Sequence, residues 1–257
     1  KMDNKIFKYI LFDLLRNKFI LIYSLILMVM SFSIIYIGHD SSKAVITILN
    51  LILFIVPLIS LIFGTIHFYN SKEFIQFLLT QPVNRKNIFR AEYLALSVSL
   101  SIGFLIGVGL PVMLYGFSFS GLYLIVTGIS LTFIFTALAF LSSVLNKDKV
   151  KGIGLSIIIW LYLTIIFDGL VFLIIYFFND YPIDKFIIIL TSLNPIDLGR
   201  ILMLLQVDVS ALMGFTGATF QKFFGSFLGI AVSAMFMLLW IILPLFISMR
   251  IFKKTNF

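Results

Sequence analysis

Apolar residues fall into six runs, approximately 19–38, 44–69, 94–116, 121–145, 152–178 and 226–249, separated by polar stretches. A helix of about 20 residues crosses the roughly 30 Å hydrocarbon core of a bilayer, so each run predicts one span. Ahead of the first run the pattern changes. Ile6, Phe7, Ile10, Leu11, Leu14 and Leu15 share one helical face, while Lys5, Lys8, Asp13, Arg16 and Lys18 lie elsewhere. Residues 1–18 therefore predict an amphipathic helix lying at the membrane interface.

Between runs two and three, Asn70 to Arg85 predicts a short helix. Asn70 with Glu73 three positions later forms a capping-box pattern, Pro82 pushes Gln81 out of helical geometry, and Asn84 caps the next helix. Phe74, Phe77 and Leu78 supply an apolar face, with Lys72, Glu73, Gln76 and Gln81 as its polar edge. A short amphipathic helix between two spans is a candidate dock for a soluble partner. The connection 179–225 carries two apolar pieces too short to span, Phe186 to Leu193 and Ile201 to Leu205. They read as interfacial or re-entrant half-helices joined through Asn194-Pro195-Ile196-Asp197-Leu198-Gly199-Arg200. Irregular backbone at that depth requires cover by protein or a wet cavity.

Composition fixes the class. The chain is 61% hydrophobic and 12% charged, with a mean hydropathy of +1.14, against about 45–50% apolar residues in a soluble domain. It is an all-α membrane protein, read as one transmembrane domain over residues 1–257, with the lipid bilayer as its solvent. Lys and Arg outside the runs divide fifteen to four: the N-terminal segment, 70–93, 146–151 and the tail hold the majority, and Lys43, Lys185, Arg200 and Lys222 the rest. The positive-inside rule then puts both termini and the 70–85 helix in the cytoplasm, as in a multi-pass protein of a bacterial inner membrane. The net charge of +8 forms no contiguous patch for nucleic acid. The chain contains no cysteine, which removes disulfides and thiolate chemistry. The first run is too long for a signal-peptide core and lacks a small-residue cleavage site, so it is expected to remain as a span.

Asp168, in the middle of run five, is the one Asp, Glu, Lys or Arg inside the six runs. Burying its charge costs about 2.5–3.5 kcal/mol, so it should face protein or water. It reads either as a proton or cation site or gate, or as a protonated carboxyl that holds helices together. The lack of a second intramembrane charge favours the latter. His67 and the His39–Asp40 pair read as isolated interfacial residues, and the i, i+2 methionine pairs place their sulfurs on different faces, so no metal site is expected. Gly103, Gly107 and Gly109 followed by Pro111 predict close packing and a kink in span three. No Gly-Lys dipeptide occurs, hence no phosphate-cradling loop, and no cluster of acid, base and nucleophile suggests an enzyme.

Leu78-Leu79-Thr80-Gln81-Pro82-Val83-Asn84-Arg85, followed by Ile88, resembles the Leu-Leu-Thr-x-Pro-x-x-Arg-x-x-Ile signature of ABC-2 (type V) exporter permeases. The chain departs from that pattern upstream, where Ser71 to Ile75 replaces an acidic residue and a Gly-Thr-Leu-like step, and at Glu92, where the family has Lys. The resemblance implies a non-catalytic permease whose Glu73, Phe74, Phe77, Leu78, Thr80, Pro82 and Arg85 contact a separate cytoplasmic ATPase. ATP and Mg would be bound by that partner, and this chain would bind no cofactor. A narrower block, Leu155 to Ile175 with Trp160 and Asp168, then Leu193 to Ile201, is similar to permeases of the Nos-type maturation transporters. That likeness implies a homodimer, two ATPase subunits, a periplasmic β-helical partner, and service to copper-site assembly of nitrous oxide reductase. Asn194, Pro195, Asp197 and Arg200 would then shape the outer face or gate. Without a ladder of copper ligands, force transmission fits these residues better than ion conduction. The alternatives are an ABC-2 permease for drug or lipid export or gliding machinery, and an ATP-independent channel or proton-coupled carrier using Asp168.

Overall fold

The computed structural model describes residues 2–38, 41–115, 119–178, 181, 184–204 and 227–254. Among these the secondary structure is helical, with no strand. Helix α1 (Met2–Leu15) ends just before Asn17, whose side chain accepts from the Phe19 N–H at 2.9 Å and so opens α2 (Lys18–Ile37). Helices α3 (Ser41–Asn70) and α4 (Lys72–Leu79) follow. The third span is α5 (Arg85–Phe104), a π turn (Leu105–Gly109) and α6 (Leu110–Leu114). Next comes α7 (Phe119–Leu145). The fifth span has the same make-up as the third: α8 (Lys149–Leu161), a π turn (Tyr162–Ile166) and α9 (Phe167–Phe177). A bent pair, α10 (Asp184–Ser192) and α11 (Pro195–Leu204), precedes α12 (Phe227–Lys254).

Six of these units are long and apolar enough to cross a membrane. The third begins at Arg85 rather than near 94, because Asn84 caps it: its side chain accepts from the Lys86 N–H at 3.2 Å. The apolar run marked only the stretch suited to hydrocarbon, whereas the helix itself starts in the polar residues before it. Its π turn lies just ahead of Pro111, which has no N–H to offer the Gly107 carbonyl, so the ladder widens there.

Helix α7 is the hub. It packs against α3, α5, α8, α11 and α12, and 72% of its spanning window is buried, against 11% for the fifth span and 17% for the sixth. Small residues let neighbours close on it. A Cβ at Gly128 would lie 2.1 Å from the Phe104 ring. The predicted small-residue face of span three meets α2: a Cβ at Gly107 would lie 2.6 Å from Leu27 and 2.8 Å from the Ser24 carbonyl.

Two polar and aromatic clusters hold the hub to its ring. Thr65 and Ser142 each lie 2.6 Å from the Ser156 hydroxyl, all three buried, which joins α3, α7 and α8. Such bonds contribute about 0.6 kcal/mol each in a bilayer. Phe68, Phe89, Phe140 and Phe252 pack mostly edge to face with ring centroids between 5.0 and 6.4 Å, joining α3, α5, α7 and α12 at one end of the bundle. Helix α1 turns Ile6, Ile10 and Leu14 inward and packs along α5 at that same end, leaving Tyr9 and Phe12 exposed. That end carries α1, α4 and the last turn of α12.

Candidate functional site

Only Ser71 separates α3 from α4. Ser71 keeps helical dihedrals (φ −80°, ψ −3°) and makes no side-chain cap bond. The capping box expected of Asn70 and Glu73 is therefore not formed. A cap needs an extended residue from which the side chain can reach forward, and the chain never leaves helical geometry here. Asn70 instead accepts from Lys149 Nζ at 2.9 Å.

Helix α4 buries Ile75 and Leu78, half-buries Phe74 on the Tyr9 ring of α1 (centroids 5.8 Å apart), and leaves Phe77 60% exposed. The expected face of Phe74, Phe77 and Leu78 is thus corrected to Ile75 and Leu78. These two point toward the bundle, while Glu73, Gln76 and Phe77 face away. Thr80 closes the helix by donating to the Phe77 carbonyl at 2.8 Å, Pro82 is exposed, and Arg85 reaches the Lys253 carbonyl at 3.4 Å.

This helix is moored to the loop before span five. Lys72 donates to the Lys147 carbonyl at 3.2 Å and sits 4.3 Å from the centre of the Tyr69 ring. Partial burial pulls the Lys72 ammonium below its ordinary pKa. The Tyr69 hydroxyl donates to the Asn146 carbonyl at 2.7 Å. With the Asn70–Lys149 bond, three side-chain bonds link the α3–α4 corner to residues 146–149.

His67 is not isolated, as the sequence suggested. Its Nε2 lies 2.9 Å from Glu92 Oε2 and 3.4 Å from the Ser71 hydroxyl, and Glu92 is only 2% exposed. The longer third helix carries Glu92 into the bundle. A helix drawn from the Asn84 cap, and not from the apolar run, would have found this second acidic residue.

At the other candidate position, α10 and α11 meet at 110°. The segment Asn194 to Arg200 is not an irregular link, because Pro195 opens α11 at a position where the missing N–H costs nothing. Asn194 caps it, its Oδ1 accepting from the Ile196 N–H at 3.0 Å. The second half-helix therefore begins at Pro195 rather than Ile201. Ile196, Leu198 and Met203 are fully buried, and α11 packs on α7.

Helix α11 also supplies the partner that Asp168 was expected to lack. Arg200 Nη1 donates to Asp168 Oδ2 at 2.9 Å and lies 3.1 Å from Asp197 Oδ1. Asn194 Nδ2 donates to Asp197 Oδ2 at 3.2 Å and to the Leu163 carbonyl, inside the π turn of span five, at 2.8 Å. Four predicted residues, Asp168, Asn194, Asp197 and Arg200, thus form one network, with Pro195 opening the helix that holds Asp197 and Arg200 and that Asn194 caps. One cation faces two carboxylates here, so the attraction offsets only part of the cost of holding these charges out of water. Asp168 Oδ1 and Thr164 Oγ1, one helical turn apart, are buried without a partner among the described residues. The network ties the bent pair to span five, while the α4 mooring ties the opposite end of that span to the α3–α4 corner.

Comparison with known proteins agrees with this architecture. The chain is 24% identical over 265 residues to the "Probable ABC transporter permease protein NosY" of Stutzerimonas stutzeri, covering 94% of each chain. It is 25% identical over 228 residues to the protein of the same name from Pseudomonas aeruginosa, covering 79% of this chain and 81% of that one. The family model described as "ABC-2 family transporter protein" matches residues 11–257. With six spanning helices and a match over nearly its whole length, the chain belongs to the ABC-2 family of transporter proteins.

Proposed function

We propose that this permease is driven by a cytoplasmic ATPase that docks on α4, and that it passes the resulting motion to the far side of the membrane. The observation that carries the reading is Phe77, a large apolar residue 60% exposed on a helix whose other apolar residues are packed. Two docked ATPase subunits closing on ATP would push α4 on each copy of a homodimer. The Lys72, Tyr69 and Asn70 bonds to residues 146–149 would hand that push to span five. The Arg200–Asp168 contact would carry it to the bent pair as a rigid-body movement. ATP and Mg belong to the partner in this scheme. With basic segments at the α1 and α4 end, that end is the cytoplasmic one and the protein sits in a bacterial inner membrane.

We infer a narrower role from the resemblance to Nos-type maturation permeases, two relatives being named NosY: copper-site maturation of nitrous oxide reductase, through a periplasmic β-helical protein resting on the outer face near Asn194 and Arg200. Drug export, lipid export and gliding machinery are other uses of the same fold. Two experiments separate the levels. Co-purification with the proposed cytoplasmic ATPase should be lost in Phe77→Glu, and retention of the ATPase by that variant would refute docking on α4. In a host lacking its own Nos-type permease, expression of this chain with its ATPase should restore copper loading of the reductase. Reductase that stays copper-deficient would remove the maturation role and leave the permease reading intact.

A further inference from the structure

Basic side chains cluster where the start of span three meets the end of span six. Lys86 and Arg90 from α5 and Arg250 and Lys253 from α12 line a groove of about 260 Å³, whose inner wall is Phe246 and Met249. Among the described residues, none of the four cations is paired with a carboxylate. The arrangement works against the helix that carries half of it. Lys86 and Arg90 are like charges at i, i+4, and Lys86 lies in the opening turn of α5, where the helix dipole disfavours a cation. Arg250 is held in place, its guanidinium 4.2 Å from the centre of the Phe246 ring. Phe246 itself is 46% exposed on the membrane-facing part of α12.

We propose that this groove binds the headgroup of an anionic phospholipid, with the phosphate among Lys86, Arg90, Arg250 and Lys253 and an acyl chain along Phe246 and Met249. The occupant must be anionic to offset four cations that no carboxylate among the described residues pairs with, and amphiphilic because the wall one turn deeper is apolar. A phospholipid at the edge of its leaflet meets both conditions, and basic pockets between spans recognise such headgroups. A soluble phosphate meets only the first. An acidic protein surface would leave the apolar wall uncovered.

The test uses the full chain purified in detergent, with retained lipid read by native mass spectrometry after addition of phosphatidylglycerol or phosphatidylethanolamine. The wild type should retain phosphatidylglycerol selectively, and retention should fall with ionic strength. Lys86→Gln with Lys253→Gln should weaken it about 25-fold, at about fivefold per cation. Lys43→Gln, in the opening turn of span two, should leave it unchanged. Equal retention of the two lipids, or a double variant that holds phosphatidylglycerol like the wild type, would overturn the proposal. So would displacement of the lipid by an equal concentration of inorganic phosphate. Loss of ATPase co-purification with lipid retention intact would reassign the groove to a protein contact. Should the double variant not fold, the lipid selectivity and salt dependence of the wild type decide the matter alone.

Discussion

Replacing Arg200 with alanine would leave Asp168 and Asp197 facing each other with no cation between them. About a third of Arg200 and of Asp168 is exposed, so the loss is smaller than for a fully buried pair. An expected destabilisation of about 1–3 kcal/mol should appear as a lower melting temperature in detergent. Adding Asp168→Asn should recover part of it, because the second substitution removes the charge left unpaired. A double variant no better than the single one would show that the contact does not couple the two helices. The sequence required only that Asp168 face protein or water, and the lack of another charge in the runs pointed to a protonated carboxyl and not to an ion pair. The pair itself was not legible, because Arg200 lies 32 positions away on a segment that read as an outer connection. Glu92 was missed for a related reason: hydropathy marks where hydrocarbon begins, whereas a helix begins at its cap, and here the two differ by more than two turns.

Among the elements, α4 and the hub helix give the clearest expectations. Phe77→Glu should abolish ATPase co-purification without changing the melting temperature, since the side chain touches solvent and not the core. Ile75→Glu should lower the melting temperature as well, because that residue is 1% exposed. Gly128→Leu should be disruptive in a different way. Its Cβ would enter the Phe104 ring, and the forced repacking of α5 on α7 should cost about 1–3 kcal/mol, read as a lowered thermal midpoint. An unchanged midpoint would mean that α5 can retreat freely. The existence of α4 was visible from Pro82 and the apolar spacing, but its inward face was not. Spacing pointed to Phe74, Phe77 and Leu78, whereas the packed helix buries Ile75 and Leu78 and leaves Phe77 outside.

At the level of the whole molecule, a well-buried inner set of spans stands against a sparsely covered rim. Spans three and four are 67% and 72% buried, whereas spans one, five and six are 28%, 11% and 17% buried. The apolar runs alone mark this division only faintly, because hydropathy differs little between the two best-buried spans, at 2.0 and 2.3, and the other four, at 2.5 to 2.8. What distinguishes them is the small and hydroxylated residues along α7, Thr127, Gly128, Thr132, Thr136 and Ala139 among them, which lipid would not require.

The buried hydroxyl trio bears on how the protein is made. A chain enters the bilayer from its N-terminus, so Thr65 arrives two spans before Ser142 and three before Ser156. Until the fifth span is inserted, Thr65 and Ser142 have only the longer 3.3 Å contact with each other and lack the two 2.6 Å bonds to Ser156. Chains truncated at residue 146 should therefore be degraded faster in pulse-chase labelling than chains truncated at 178. Replacing Thr65 with valine should narrow that difference, because the early intermediate would no longer carry a hydroxyl waiting for a helix not yet synthesised.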